Sequence, residues 1–183
     1  MDESFFLDLS AWLIKAGLAG KSETDIVNGL CDRCVAAGFP LARAQVFIDT
    51  LHPIHEGSLF RWGFGPTESP LVEYGRTSAD ILAASDASPA ELEAAERWRR
   101  SPFYTMLQTG DALLRRRLNA ATQDEFPVLS DFIAAGMTDY VAIICRFAGE
   151  RVLGDMDGVY ASWTTRALGG FSDGQIDLSL IHI

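Results

Sequence analysis

Two cysteines two residues apart, Cys31 and Cys34, have the spacing at which thiolates converge on one metal ion or on each other. A structural zinc site needs four ligands, and the sequence holds only one further cysteine, Cys145. Both members of the pair fall on the apolar stripe of a predicted helix, beside Leu30 and Val35. We therefore predict that all three cysteines pack as small apolar residues, with metal ligation by the pair as the alternative.

Two histidines, His52 and His55, lie close to Asp49 and Glu56, and imidazole and carboxylate are common metal ligands. Pro53 prevents the regular helix that would place both histidines on one face, and the spacing matches no metallohydrolase pattern. We expect a turn in which one histidine is hydrogen-bonded to backbone. A titrating role stays open because the ordinary pKa of histidine is about 6.5.

Arginines are concentrated in two short segments. They are Arg97, Arg99, Arg100, Arg115, Arg116 and Arg117, six of the fifteen basic residues. In a strand, Arg115 and Arg117 share one face and Arg116 takes the other. Guanidinium groups suit carboxylate and phosphate, so one interpretation is an anion pocket or a docking surface. The other, which we favour, is pairing with surface acids that include Glu91, Glu93 and Glu96.

Aromatic residues on the predicted strands are the best pocket candidates. They are Trp62, Tyr74, Tyr140, Tyr160 and Trp163. Residues on one face of a sheet can line a cavity beneath covering helices, and ligand sites are mostly apolar with few polar anchors. With Arg115 and Arg117 they form our candidate ligand-binding set, of which we expect two or three aromatics to touch a ligand. Core packing is the alternative for most of them.

No catalytic residue, metal site or cofactor is predicted, because the sequence contains no Walker loop, dinucleotide fingerprint or Gly-x-Ser-x-Gly elbow. The formal net charge of −10 argues against nucleic acid and anionic membranes as partners, and favours small ligands or protein surfaces. No apolar run approaches the roughly 20 residues that span a bilayer, and the acidic start is unlike a secretory signal. We expect a cytoplasmic protein.

The elements that must position these residues predict an α+β domain, with helices at both ends of an antiparallel central sheet. Helices are predicted over 5–17, 22–38, 88–110 with an interruption at Pro102, and 126–135. Strands are predicted over 43–51, 59–64, 71–74, 112–118, 140–147 and 159–165. The first three strands should form a meander, and 78–88 should be a long loop.

A last helix begins at Ser172, because Ser172 and Gln175 have capping-box spacing. The final residues, 178–183, are also the translation of CTGTCTCTTATACACATC, a transposon end used in sequencing libraries. We therefore expect 1–176 to form a single domain and 177–183 to be a non-native tail of a truncated reading frame. A natural short helix or strand is the alternative.

The order of elements, with Phe171-Ser172-Asp173 opening the last helix, resembles GAF domains, relatives of PAS domains that sense small molecules. A more particular resemblance is to the N-terminal regulatory region that precedes the catalytic domain in a group of bacterial class III adenylate/guanylate cyclases. It rests on five segments, which are 49–53 (DTLHP), 60–62 (FRW), 101–104 (SPFY) with Thr109-Gly110, 114–118 (LRRRL), and 157–160 (DGVY) with Ser162-Trp163.

The resemblance implies a sensory or regulatory module of cyclic nucleotide signalling, with a small-molecule ligand and a fused downstream cyclase domain. It also implies a central antiparallel sheet flanked by N-terminal, crossover and C-terminal helices, and a homodimer whose terminal helices adjoin across a two-fold axis. The cyclase residues would lie outside this sequence, so we expect no enzymatic activity from these residues. The alternative is a dimerisation or interaction scaffold that binds no small molecule.

Overall fold

Three of the helices begin after a serine whose side chain caps the first turn. The computed structural model describes residues 3–49, 57–74, 88–146 and 158–176. Its helices are α1 (Glu3–Leu18), α2 (Glu23–Ala36), α3 (Pro89–Arg99), α4 (Pro102–Thr109) and α5 (Pro127–Ala134). The Ser22 hydroxyl caps α2 by accepting from the Asp25 amide at 3.1 Å. Each of the predicted helices is confirmed, with ends that differ by a few residues.

The helical segment after residue 88 is divided into two helices by its capping residues. Ser88 and Glu91 form a capping box at the start of α3, and Ser101 accepts from the Tyr104 amide at the start of α4. Pro102 occupies the first turn of α4, where its missing amide costs no hydrogen bond. The predicted interruption at Pro102 is thereby confirmed.

Six strands form one antiparallel sheet in the order β3-β2-β1-β6-β5-β4. They are β1 (Arg43–Asp49), β2 (Gly57–Trp62), β3 (Leu71–Tyr74), β4 (Leu113–Arg117), β5 (Asp139–Arg146) and β6 (Gly158–Thr165). Strands β1 to β3 form the predicted meander, and α3 and α4 carry the chain from the β3 edge to the β4 edge. The α+β class with an antiparallel sheet is confirmed.

The sheet separates two apolar layers, which we name by what covers them. On the crossover face, helices α3, α4 and α5 pack on alternate residues of the strands, among them Phe47, Leu114 and Ile144. On the terminal face, helix α2 and residues 171–176 pack on the other alternate residues, among them Val46 and Val141. Strand alternation therefore decides which layer each side chain enters.

The second strand ends earlier than predicted. Its expected span was 59–64, but β2 stops at Trp62 because Gly63 has a φ of +76°, a left-handed conformation that leaves the strand path. A Cβ on Gly63 would overlap with the Ala42 carbonyl oxygen, so glycine suits this position.

Residues 78–87 of the predicted long loop lie outside the described residues. In the described part of the chain, no helix combines the length and apolar character needed to cross a lipid bilayer.

Candidate functional site

The sheet divides the candidate ligand-binding residues between its two faces. Directly opposed residues on neighbouring strands share a face, so the strand register assigns each side chain. Facing the crossover helices are Tyr74, Tyr140 and Tyr160. On the terminal face are Trp62, Trp163, Arg115 and Arg117. One cavity beneath the crossover helices cannot be lined by all seven residues.

The crossover-face tyrosines pack in the core. The ring of Tyr160 stacks on Trp98 with 6.3 Å between centroids and contacts Phe103 at 5.5 Å. The ring of Tyr140 stacks on Phe132 at 5.7 Å. Burial raises the pKa of Tyr140, although a hydrogen bond with Ser162 opposes the shift. These contacts support the core-packing alternative for both residues.

The remaining aromatic candidates fasten neighbouring segments to the sheet. Trp62 donates from Nε1 to Asp32 Oδ1 of α2 at 3.0 Å. Trp163 packs edge to face against Phe39, with 5.5 Å between ring centroids. Tyr74 lies over Gly57, where a Cβ would overlap with the phenol oxygen. Ligand contact by these three residues stays a prediction.

A fully buried carboxylate, Asp139, is the centre of a charged cluster on the terminal face. Its Oδ2 accepts from Arg115 Nη2 at 2.8 Å and from Arg115 Nε at 3.1 Å. It also accepts from the Phe171 amide at 3.0 Å and lies 3.3 Å from Arg117 Nη1. The hydrogen bond to Asp139 raises the pKa of Arg115. We call Asp139, Arg115 and Arg117 the Asp139 cluster.

The Asp139 cluster holds the segment that leads out of the sheet. Arg115 donates to Asp173 Oδ1 at 2.7 Å and to the Phe171 carbonyl, and Arg117 donates to the Gly169 carbonyl. Gly170 has a φ of +67° and lies so close that a Cβ would overlap with Arg117 and Asp139. The cluster therefore fixes where the chain turns away from the β4–β5 edge.

The helical turn that follows this segment has the predicted cap. Ser172 donates its amide to Gln175 Oε1 at 2.8 Å, and its hydroxyl accepts from the Gln175 amide at 3.3 Å. Residues 173–176 are helical, and Phe171 and Ile176 are buried against Phe39. The capping box read from the sequence is confirmed, and residues 177–183 lie outside the described residues.

The arginines of β4 are distributed as strand alternation predicts. Arg115 and Arg117 share the terminal face, and Arg116 opposes Tyr140 on the crossover face. All three pair with carboxylates, Arg116 with Glu125 at 2.7 Å from its Nε. Of the predicted acid partners in α3, Glu93 pairs with Arg97. Pairing with acids is thus confirmed for Arg97, Arg115, Arg116 and Arg117, but the partner shared by Arg115 and Arg117, Asp139, is buried and was not predicted.

We predict that the Arg116–Glu125 pair makes stability depend on acid pH. The hydrogen bond from Arg116 lowers the pKa of Glu125 below its ordinary 4.5. A carboxyl group whose pKa is lowered in the folded state contributes its full stabilisation at pH values above its unfolded-state pKa. This contribution is lost as the pH falls through the folded-state pKa. In urea unfolding, Glu125→Gln should be less stable than wild type at neutral pH, and the difference should shrink below pH 4.5. If the stability difference between Glu125→Gln and wild type were the same at neutral pH and below pH 4.5, the pairing would be contradicted.

A second polar group, which sequence analysis did not select, lies on the crossover face. Arg43 opposes Thr164 across β1 and β6, and Arg61 opposes Gln45 across β1 and β2, so these side chains share that face. The guanidinium carbons of Arg43 and Arg61 lie 4.8 and 5.7 Å from the centroid of the same ring, Phe64. We call Arg43, Arg61 and Thr164 the Arg43 group.

The Arg43 group contains buried polar atoms without hydrogen-bond partners among the described residues. They are Nε of Arg43, Nε of Arg61 and Oγ1 of Thr164, which is 1% exposed. Next to them, Ser162 donates to Gln45 Oε1 at 3.2 Å. The sequence did contain a signal for the Arg43 group. Strand alternation places Arg43 on the same face as half-buried Phe47, and Arg61 on the same face as buried Leu59.

The cysteines pack as predicted. Cys31 is buried against α2 neighbours and the sheet, and Cys34 and Cys145 are partly buried in the terminal-face layer. Burial raises the pKa of the Cys34 thiol to about 11 and raises that of Cys31 further. Within the described ranges, no three or more His, Cys, Asp or Glu side chains are grouped to hold a metal ion. The two-histidine segment, 52–56, lies outside the described residues, as does the side chain of Asp49.

No protein-family model and no curated protein matches this chain.

Proposed function

We propose that this chain is a GAF-like sensory or regulatory module of a bacterial class III adenylate/guanylate cyclase. In this proposal the module is cytoplasmic and homodimeric, binds a small molecule on the crossover face, and precedes a fused cyclase domain. The order of helices and strands, with the antiparallel sheet and the helical crossover between its edges, supports the GAF-like assignment. The motif resemblance supports the link to cyclases.

The observation that carries a regulatory role is the Asp139 cluster. A buried carboxylate at the start of β5 joins two arginines of β4 to the backbone at 169–171 and to Asp173 in the last helical turn. A shift of β4 against β5 must change the contacts of Arg115 and Arg117 with Asp139, and the same two arginines donate to Asp173 and to the Gly169 carbonyl. The same shift would therefore redirect the helix that leaves the domain, which is how such a module would act on a following domain.

One surface favours the scaffold role as a second candidate. Helix α1 leaves Leu7, Ile14 and Leu18 exposed, at 61%, 63% and 85% of their reference areas. Their spacing of seven and then four residues places them on one stripe of the helix, as in a coiled-coil seam. A second α1 helix packed on this stripe would give a dimer without any ligand.

We predict that the contiguous genomic reading frame continues beyond residue 176 as a longer amphipathic helix and then a class III cyclase domain. Sequencing an independent clone of the locus tests this directly. The isolated 183-residue chain should convert neither ATP nor GTP to a cyclic nucleotide, whereas the full-length protein should. A stop codon directly after the Ile183 codon, or metal-dependent turnover by the isolated chain, would overturn the proposal.

A further inference from the structure

The Arg43 group differs from the other strand arginines in its partners. Each arginine of β4 is paired with a carboxylate, whereas neither Arg43 nor Arg61 has an acidic partner among residues 3–49, 57–74, 88–146 and 158–176. The chain carries 25 acidic residues against 15 basic ones, so partners are plentiful. Two positive side chains that share one aromatic ring, with no counter-charge in the described part of the chain, form a locally positive site in an acidic protein.

The orphaned atoms of this group all suit the same ligand chemistry. Guanidinium Nε–H groups and a hydroxyl all donate hydrogen bonds, and the planar guanidinium matches carboxylate and phosphate oxygens. Buried polar atoms in native proteins are almost always hydrogen-bonded. Thr164 is the strongest indication, because this threonine is 1% exposed, its hydroxyl has no partner among the residues the structure describes, and it lies directly opposite Arg43.

We infer that Arg43, Arg61 and Thr164 bind an oxyanion, the carboxylate or phosphate group of a small metabolite. The inference rests on the proposed sensory function and names the ligand class of that sensor. Gln45 and Ser162 lie in the next register row of the same face and bond to each other at 3.2 Å. They provide polar neighbours for the rest of the ligand.

The proposed anion site and the Asp139 cluster include neighbouring residues of β6 and β5. Thr164 opposes Tyr140 on the crossover face, and the next pair, Thr165 and Asp139, faces the terminal side. An anion that draws Thr164 towards Arg43 acts on the strand pair that also holds Asp139. The anion site and the Asp139 cluster therefore include adjacent register pairs on opposite faces of β5 and β6.

The test is thermal unfolding of the 183-residue chain in potassium phosphate, in potassium succinate and in potassium chloride of equal ionic strength. Wild type should be stabilised by phosphate or succinate over chloride, increasingly with concentration, because the ligand binds only the folded state. Stabilisation by phosphate alone would identify a phosphate site, and by succinate alone a carboxylate site. No effect of either anion beyond chloride would overturn the inference.

Two variants test whether the stabilisation by anions arises at the Arg43 group. Arg61→Met and Thr164→Val should each weaken the anion effect by roughly tenfold in apparent Kd, since each removes a charge-assisted or hydroxyl hydrogen bond. In chloride they should be as stable as wild type or more so, because an apolar group of similar shape removes an unpartnered buried polar atom. A residue with only a structural role would instead lower stability in chloride.

Arg97→Met is the matched control, since Arg97 is exposed and pairs only locally with Glu93. It should keep the full anion response. An anion response that survives in both Arg61→Met and Thr164→Val would overturn the site. This outcome differs from failure of the proposed function, because a reading frame without a cyclase domain would leave anion binding intact.

Discussion

Replacing Asp139 by alanine should destabilise the protein by about 3 kcal/mol, as measured by urea unfolding followed by circular dichroism. The carboxylate is fully buried, and its loss leaves Arg115, which is 20% exposed, without its main partner. The Phe171 amide loses its acceptor in the same step. We place the value at the low end for broken buried pairs because the Arg117 side chain is half exposed and can be hydrated.

Asp173→Ala is the matched control for this prediction. Asp173 pairs with the same arginine at 2.7 Å, but its side chain is 91% exposed, so its loss should change stability by no more than about 0.5 kcal/mol. The loss of stability in Asp139→Asn should lie between those of Asp139→Ala and Asp173→Ala, since asparagine keeps an acceptor oxygen for the Phe171 amide but removes the charge. If Asp139→Ala were as mild as Asp173→Ala, the Asp139 cluster would not be what holds the exit segment.

Local signals in the sequence predicted the elements well because the caps are local. Ser22, Ser88 and Ser101 each satisfy an amide three residues later, and Ser172 with Gln175 does so reciprocally. Such hydrogen bonds depend on neighbours in sequence alone, so their spacing is enough to place them. The exception, the end of β2, depends on the close approach of Gly63 to Ala42, which is a tertiary contact.

The site could not be predicted in the same way because it depends on register. Alternation within a strand correctly separated Arg115 from Arg116. Alternation cannot show which residues of two strands oppose each other. Tyr140 opposes Thr164, and Trp163, the neighbour of Thr164 in β6, therefore lies on the opposite face from Tyr140. A shift of one residue in that pairing would have placed both aromatics on one face.

Asp139 was missed for a related reason. An aspartate before a run of buried apolar residues resembles a loop residue, so the predicted strand began at Tyr140. The burial of that charge is made possible by arginines 22 and 24 residues earlier in the chain. No local pattern reports such a partnership, although three arginines on a neighbouring strand are a signal that a buried acid is present.

Tyr160→Ala should be the most damaging substitution among the aromatic candidates, with a loss of about 3–5 kcal/mol in the free energy of unfolding. Tyr160 is fully buried between Trp98 and Phe103, and it lies in β6 at the centre of the sheet. Removing the ring leaves a cavity lined by residues of α3, α4 and β1, which strand pairing prevents from closing.

Leu168→Ala provides the comparison, because Leu168 is 99% exposed and its truncation should change stability by no more than about 0.5 kcal/mol. Tyr160→Phe separates packing from ligand contact, since it keeps the ring and removes only the hydroxyl. If the ring serves the core, Tyr160→Phe should retain the stabilisation by phosphate or succinate that wild type shows. Loss of that stabilisation in Tyr160→Phe, with stability in chloride unchanged, would instead make Tyr160 a ligand contact and would extend the anion site along β6.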